Sequence, residues 1–289
     1  MSNFAESSLL LWALSALTLL MSAVVCLGWT RQAQSTPRWR DNWLACVIAG
    51  VSLGTGLCAA IVLSLSAEAL PFPLGYRWLD VPLLWLGSCL ICMLAMAWLA
   101  NSASRVATIG AGVMVALATV AGQFGWANAI GFRPGLQWDI PFVAVGAMLI
   151  LLGVCIAIWL ALSEASRYGR RRSLWRLGSA LLLTLSVVAG QEVLMSGSNL
   201  LAQVGSIYRR DVPAPLLSMA LGVVVPLVLL VMLFDLRMLR SQQRRTRHRE
   251  ARDRRTEAGA YTSGLIAQDS KAASPAEPHS QPPLRTAPR

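Results

Sequence analysis

The chain has 289 residues, of which 55% are hydrophobic and only 13% charged, with a formal net charge of +11. Soluble domains carry roughly a quarter charged residues, so an ordinary water-soluble fold is excluded. Twelve of the 25 basic residues lie from Arg237 onward, so the charge is a tail feature and not that of a uniformly basic nucleic-acid binder.

Seven apolar stretches follow in chain order, at residues 9–29, 43–65, 81–99, 106–130, 140–162, 174–195 and 216–238. Each has the roughly 20 residues a helix needs to cross the hydrocarbon core of a bilayer. Leucine, valine and alanine dominate each one. Strands of a membrane barrel would instead alternate polar and apolar residues in runs of about ten. The sequence therefore predicts an all-α membrane protein with seven transmembrane helices. The first stretch has no basic leader and no small-residue cleavage site, so it reads as a retained span. Residues 1–8 form a short outer N-terminus, 9–239 the membrane domain, and 240–289 a tail that is basic and then disordered.

Basic residues orient the spans. Arg31, Arg38, Arg40, Arg105, Arg167, Arg170, Arg171, Arg172 and Arg176 fall on one side, against Arg77, Arg133, Arg209 and Arg210 on the other. By the positive-inside rule the larger set faces the cytoplasm, which puts the N-terminus outside and the C-terminus inside. The tail agrees, since RSQQRRTRHREARDRR follows the last span directly. Arg244, Arg245, Arg247 and Arg249 stand where anionic lipid headgroups, or a cytoplasmic partner, would meet them. Beyond Thr256, too few apolar residues remain to bury a core.

Cys26, Cys46, Cys58, Cys89, Cys92 and Cys155 lie in or beside apolar segments and read as small buried hydrophobes. Cys89 and Cys92 have CxxC spacing, but no second pair accompanies them. Tryptophans near span ends, including Trp29, Trp43, Trp78, Trp126, Trp138 and Trp175, fit interfacial belts. Asp80 and Asp139 are placed to cap the third and fifth spans. No Gly-rich phosphate loop with a following lysine occurs, and the membrane region has no histidine for nucleophilic chemistry. An enzyme is not expected.

The second, fourth and sixth spans can be compared directly. The second, with its outer loop, reads LGTGLCAAIVLSLSAEALPFPLGYRWLD; the fourth reads MVALATVAGQFGWANAIGFRPGLQWD; the sixth reads LLLTLSVVAGQEVLMSGSNL. The first two share a small-residue helix end, a Pro-Gly or Pro-Leu-Gly turn, an aromatic and an Asp, and AGQ recurs in the last two. A helix pair repeated three times in one orientation is a parallel repeat.

On these strings the chain resembles the MHYT domain, a bacterial seven-helix sensor module, over roughly residues 11–240. The resemblance implies a multi-pass protein of the bacterial inner membrane in a sensory or signalling role. In that family a histidine and methionines from three motif copies are proposed to hold copper that senses a diatomic gas. Here Ala60 and Ile61 stand on the first copy, with Leu65 at the later methionine. Ala121, Gly122, Gln123 and Phe124 stand on the second, and Gly190, Gln191, Glu192 and Val193 on the third, where Met195 is retained. The two histidines, His248 and His279, are both in the tail. The motifs are thus degenerate and no cofactor is expected, with Cys58 and Met195 as weak metal candidates.

Ile61, Gly122 and Gln191 each lie about 16–18 residues beyond the inner start of their helices, or roughly 24–27 Å at 1.5 Å per residue. That places all three near the outer edge of the hydrocarbon. Gln123, Gln191 and Glu192 are costly there if they face lipid. They either hydrogen-bond between helices or, with Met195, form a ligand-sensing pocket. Three function classes follow: a sensor whose output enzyme is not in cis, since the tail contains neither GGDEF nor EAL; an assembly or scaffold protein docking a partner through its tail; and a small-solute transporter. The transporter is disfavoured by the scarcity of ionisable groups near the midplane.

Overall fold

A computed structural model describes residues 2–35, 39–67, 75–102, 104–133, 136–163, 171–200, 205–206, 211–239 and 241–242. Seven helices account for most of them: α1 (Ser2–Ser35), α2 (Trp39–Ala67), α3 (Asp80–Asn101), α4 (Arg105–Ala129), α5 (Ile140–Ser163), α6 (Arg171–Ser196) and α7 (Ala214–Leu239). All seven are long and apolar enough to cross a membrane. The chain is an all-α, multi-pass membrane protein. In hydrocarbon a segment must pair its own backbone groups, which a helix does and an open strand does not. Pro82, Pro141 and Pro215 all fall in first turns, where the missing N–H costs no helical bond.

The chain divides into two units, Met1–Leu236 and Arg237–Arg289. Of the second, residues 237–239 and 241–242 are described and all are helical. Arg244, Arg245, Arg247 and Arg249, and the expected disorder of the tail, lie outside the described residues.

Within the first unit the packing follows sequence order, α1 on α2, α2 on α3, and so on to α6, with α6 returning to α1. The second helix is the central one, with 78% of its apolar window buried against 22% for α7. Small residues let it sit there. Gly50 and Gly54, spaced as GxxxG, face α3 so closely that a Cβ on Gly50 would meet the Met93 backbone and one on Gly54 would lie 2.6 Å from Cys89 Cα. On the opposite flank Ser22 donates to the Ser52 carbonyl (2.6 Å) and Ser15 to the Ala60 carbonyl (3.0 Å), so α1 is stitched to α2 by hydroxyls.

At the end where α2, α4 and α6 finish, six short strands among the described residues form three antiparallel pairs. Residues 198–200 pair with 136–138, 205–206 with 132–133, and 212–213 with 75–76. We label them β1 (Gly75–Tyr76), β2 (Phe132–Arg133), β3 (Leu136–Trp138), β4 (Ser198–Leu200), β5 (Gly205–Ser206) and β6 (Val212–Pro213). The α6–α7 connection therefore straps the other two connections together and caps this end. Gly131, at φ 65°, makes the turn from α4 into β2, a conformation that costs side-chain-bearing residues energy. At the opposite end Arg31 donates to the Ala161 carbonyl and Gln34 to the Leu99 carbonyl (3.2 Å), which holds α1 helical past Trp29, where its apolar stretch was expected to stop.

Two sequence expectations need correction. Leu79, not Asp80, occupies the N-cap of α3, and Asp80 falls in the first turn, where its charge meets the positive end of the helix dipole. Asp139 does stand at the start of α5, where its carbonyl accepts from Val143 N at 3.1 Å. Trp29 and Trp126 are buried and do not belong to an interfacial belt, whereas Trp43 and Trp78 are exposed. The side chain that caps α4 is Ser104, accepting from Ala107 N at 3.1 Å.

Candidate functional site

Beneath the cap lies a second core cluster, separate from the main one along the middle of the bundle. It joins Cys58, Ile61, Val62 and Leu65 of α2, Tyr76 of β1, Trp126, Ala129 and Ile130 at the end of α4, and Ala214 at the start of α7. Met195 of α6 and Leu217 of α7 pack against it. Its centre is aromatic: the rings of Tyr76 and Trp126 meet edge to face, 5.6 Å between centroids and 85° between planes. The strap holds Tyr76 in place, since Tyr76 pairs with Val212 and the next residue, Arg77, donates its N–H to the Ala129 carbonyl at 3.0 Å.

The polar groups here are the unusual feature. Gln123 is fully buried, and neither its Oε1 nor its Nε2 has a hydrogen-bond partner. Gln191 Nε2 is likewise buried and unpartnered, whereas the buried Tyr76 and Ser66 hydroxyls interact with each other and the buried Trp126 indole with the Cys58 thiol. Leaving one such group unsatisfied costs about 1–3 kcal/mol, and buried polar groups in native proteins nearly always have partners. Burial also pushes the Tyr76 phenol above its ordinary pKa, and the nearby Ser66 hydroxyl only partly offsets the rise.

Helical spacing ties these groups to the cluster. Trp126 follows Gln123 by one turn on α4, and Met195 follows Gln191 by one turn on α6. Long side chains on a helix lean back over the preceding turn, so Trp126 covers the turn of Gln123 and Met195 that of Gln191. Two of the three motif positions converge directly: a Cβ placed on Gly122 would stand 3.2 Å from Ile61 Cδ1 and 4.0 Å from Ser88 Oγ. A large residue on one helix fills the space a glycine leaves on the other.

Glu192 does not belong to this cluster. Its carboxylate accepts from the Trp12 indole at 2.7 Å on the α1–α6 seam, about 100° around the helix from Gln191. Of the sequence candidates, Met195 packs against the cluster, Gln123 and Gln191 lie one helical turn before Trp126 and Met195, and Glu192 lies on the α1–α6 seam. Cys58 and Met195, the two weak metal candidates, share the cluster, but among the described residues no group of three His, Cys, Asp or Glu could hold an ion. Tyr76, Ser66 and Trp126 were not singled out from the sequence as site residues. Only the i, i+3 spacing of Gln123 and Trp126 could have suggested the last.

What this arrangement can do is form hydrogen bonds to a neutral group out of contact with water. None of these residues is charged near neutral pH. Comparison with known proteins finds no family model, no characterised protein and no solved structure that matches this chain.

Proposed function

We propose that this is an MHYT-like integral membrane sensor of the bacterial inner membrane, with its strand-capped end outside and its basic tail in the cytoplasm. Its metal-binding motifs are degenerate and its output passes to a cytoplasmic partner. The observation that carries the reading is Gln123, a fully buried amide with both polar atoms unpartnered beneath a cap built from three connections. Purely structural positions at that depth are cheaper to fill with leucine. A group that is costly to the resting fold suits a sensing site. The threefold helix-pair repeat and the kinship remain part of this proposal, supported by the meeting of Ile61 and Gly122.

A sensor must couple the capped end to the other end, as a free-energy linkage between two places. Hydrogen exchange on the full chain in lipid nanodiscs tests this without any ligand. Gln123→Leu should change amide protection around Arg31 and Ala161, which join α1 to α5 at the far end. A change confined to residues near Gln123 would remove the sensor reading and leave a packing role.

A further inference from the structure

Glu192 is a half-buried acid inside an apolar span. It lies four residues short of the end of the span Leu174–Ser196, or about 6 Å inside it at 1.5 Å per residue. Among the described residues the Trp12 indole is the one hydrogen-bond donor to its carboxylate, at 2.7 Å, and no ion pair to it occurs. That length is short for N–H···O and suits a charged acceptor. A carboxylate at this depth is costly alone, and ionisable groups inside membranes are found paired. Its cation must come from beyond the described residues.

The surroundings select which cation. A hard divalent ion needs six or more oxygen ligands, and the nearby hydroxyls of Ser15 and Ser196 are spent on the carbonyls of Ala60 and Glu192. An ammonium group needs only the carboxylate and an aromatic face, for which tryptophan is the best. Trp12 offers that face, since its N–H edge is turned to Glu192 and the side chain is 43% exposed. On α6 the exposed Leu185 and Leu181 precede Glu192 by seven and eleven residues, within about 20° of the same side of the helix. They make an apolar track from the carboxylate toward the middle of the bilayer.

From this charge complementarity above an apolar track, we infer that Trp12 and Glu192 bind the primary ammonium group of an ethanolamine phospholipid in the leaflet at the strand-capped end. The ammonium donates to the Glu192 carboxylate and rests on the face of the Trp12 indole. One acyl chain of the same lipid lies along Leu185 and Leu181. This goes beyond the sensor reading and does not depend on it.

The test places the full chain in phosphatidylglycerol nanodiscs with phosphatidylethanolamine added in rising mole fraction. The readout is the ¹⁵N-indole resonance of Trp12, assigned by its loss in Trp12→Phe. Saturable movement is expected, about tenfold weaker in Glu192→Gln. The amide oxygen of that variant still accepts the indole N–H, so the seam itself is kept. Phosphatidylcholine, whose ammonium has no N–H to donate, should act severalfold more weakly at equal mole fraction. Retention of ethanolamine lipid in native mass spectrometry should fall in Glu192→Gln as well. No movement, or equal movement in Glu192→Gln or with phosphatidylcholine, overturns the inference and leaves Glu192 as the acceptor for Trp12 alone. Free ethanolamine that reproduces the shift in phosphatidylglycerol alone overturns the lipid as the source and makes the site one for a water-borne amine.

Discussion

Tyr76 on β1 and Trp126 on α4 meet edge to face at 5.6 Å, joining the strand cap to the helix bundle through one aromatic contact. Both rings are almost wholly buried, the Tyr76 hydroxyl against Ser66 and the Trp126 indole N–H against Cys58. The pair separates two effects that usually travel together, apolar packing and polar satisfaction. Trp126→Ala should lose about 3–5 kcal/mol through the cavity it leaves. Tyr76→Phe keeps the ring and removes only the hydroxyl with its Ser66 interaction, so it should cost no more than about 1 kcal/mol. Denaturation in nanodiscs, followed by helical circular dichroism, compares the two.

Gly122 and Ile61 make a tighter prediction. With Ile61 Cδ1 3.2 Å from the place of a Gly122 Cβ, Gly122→Ala requires the isoleucine to yield by a few tenths of an ångström. The expected cost is about 1 kcal/mol or more. Adding Ile61→Val, which shortens the side chain, should recover most of it, so the double-mutant cycle is non-additive. Additive costs would mean that the two positions do not touch.

Glu192 and Trp12 form a seam contact and no part of the cluster. Because the contact is exposed, Trp12→Phe should cost less than about 1 kcal/mol. It should leave the Trp126 indole resonance where it is. Thermal unfolding and the indole spectrum read the two halves of this statement.

Alkaline pH gives a third handle on Tyr76. Burial raises the folded-state pKa of its phenol, while an unfolded tyrosine ionises near pH 10. The stability that the neutral phenol contributes is complete below about pH 10. It is lost as pH climbs from there toward the higher folded value. Helicity should therefore fall more steeply above pH 10 in the native chain than in Tyr76→Phe, and absorbance at 295 nm should lose its last-titrating step in that variant.

The spans were legible because hydropathy and length decide them. The stretch expected at 140–162 is the span Ile140–Ala161, and the one expected at 174–195 is Leu174–Ser196. The cap was not legible, since pairs as short as Gly75–Pro213 and Tyr76–Val212 carry no alternating pattern and join segments far apart in sequence. Tyr76 stayed hidden for that reason. Trp126 was misread because a tryptophan near a helix end fits an interfacial belt equally well, and only its packing on Tyr76 separates the two uses. Gln123 and Gln191 stood out because an amide deep in an apolar helix is rare. Glu192, adjacent to Gln191, could not be told apart from it until α1 supplied Trp12 as a partner. The cap of α3 was missed by a single residue of register, Leu79 for Asp80.

The central claim is that the site beneath the cap works with neutral hydrogen-bonding groups and not with a coordinated ion. Copper content of the full chain, purified in lipid after growth in copper-supplemented medium, tests this most directly. The account predicts no stoichiometric copper, and the same trace level in Gln123→Leu. One copper per chain, lost on replacing Cys58 or Met195, would contradict it.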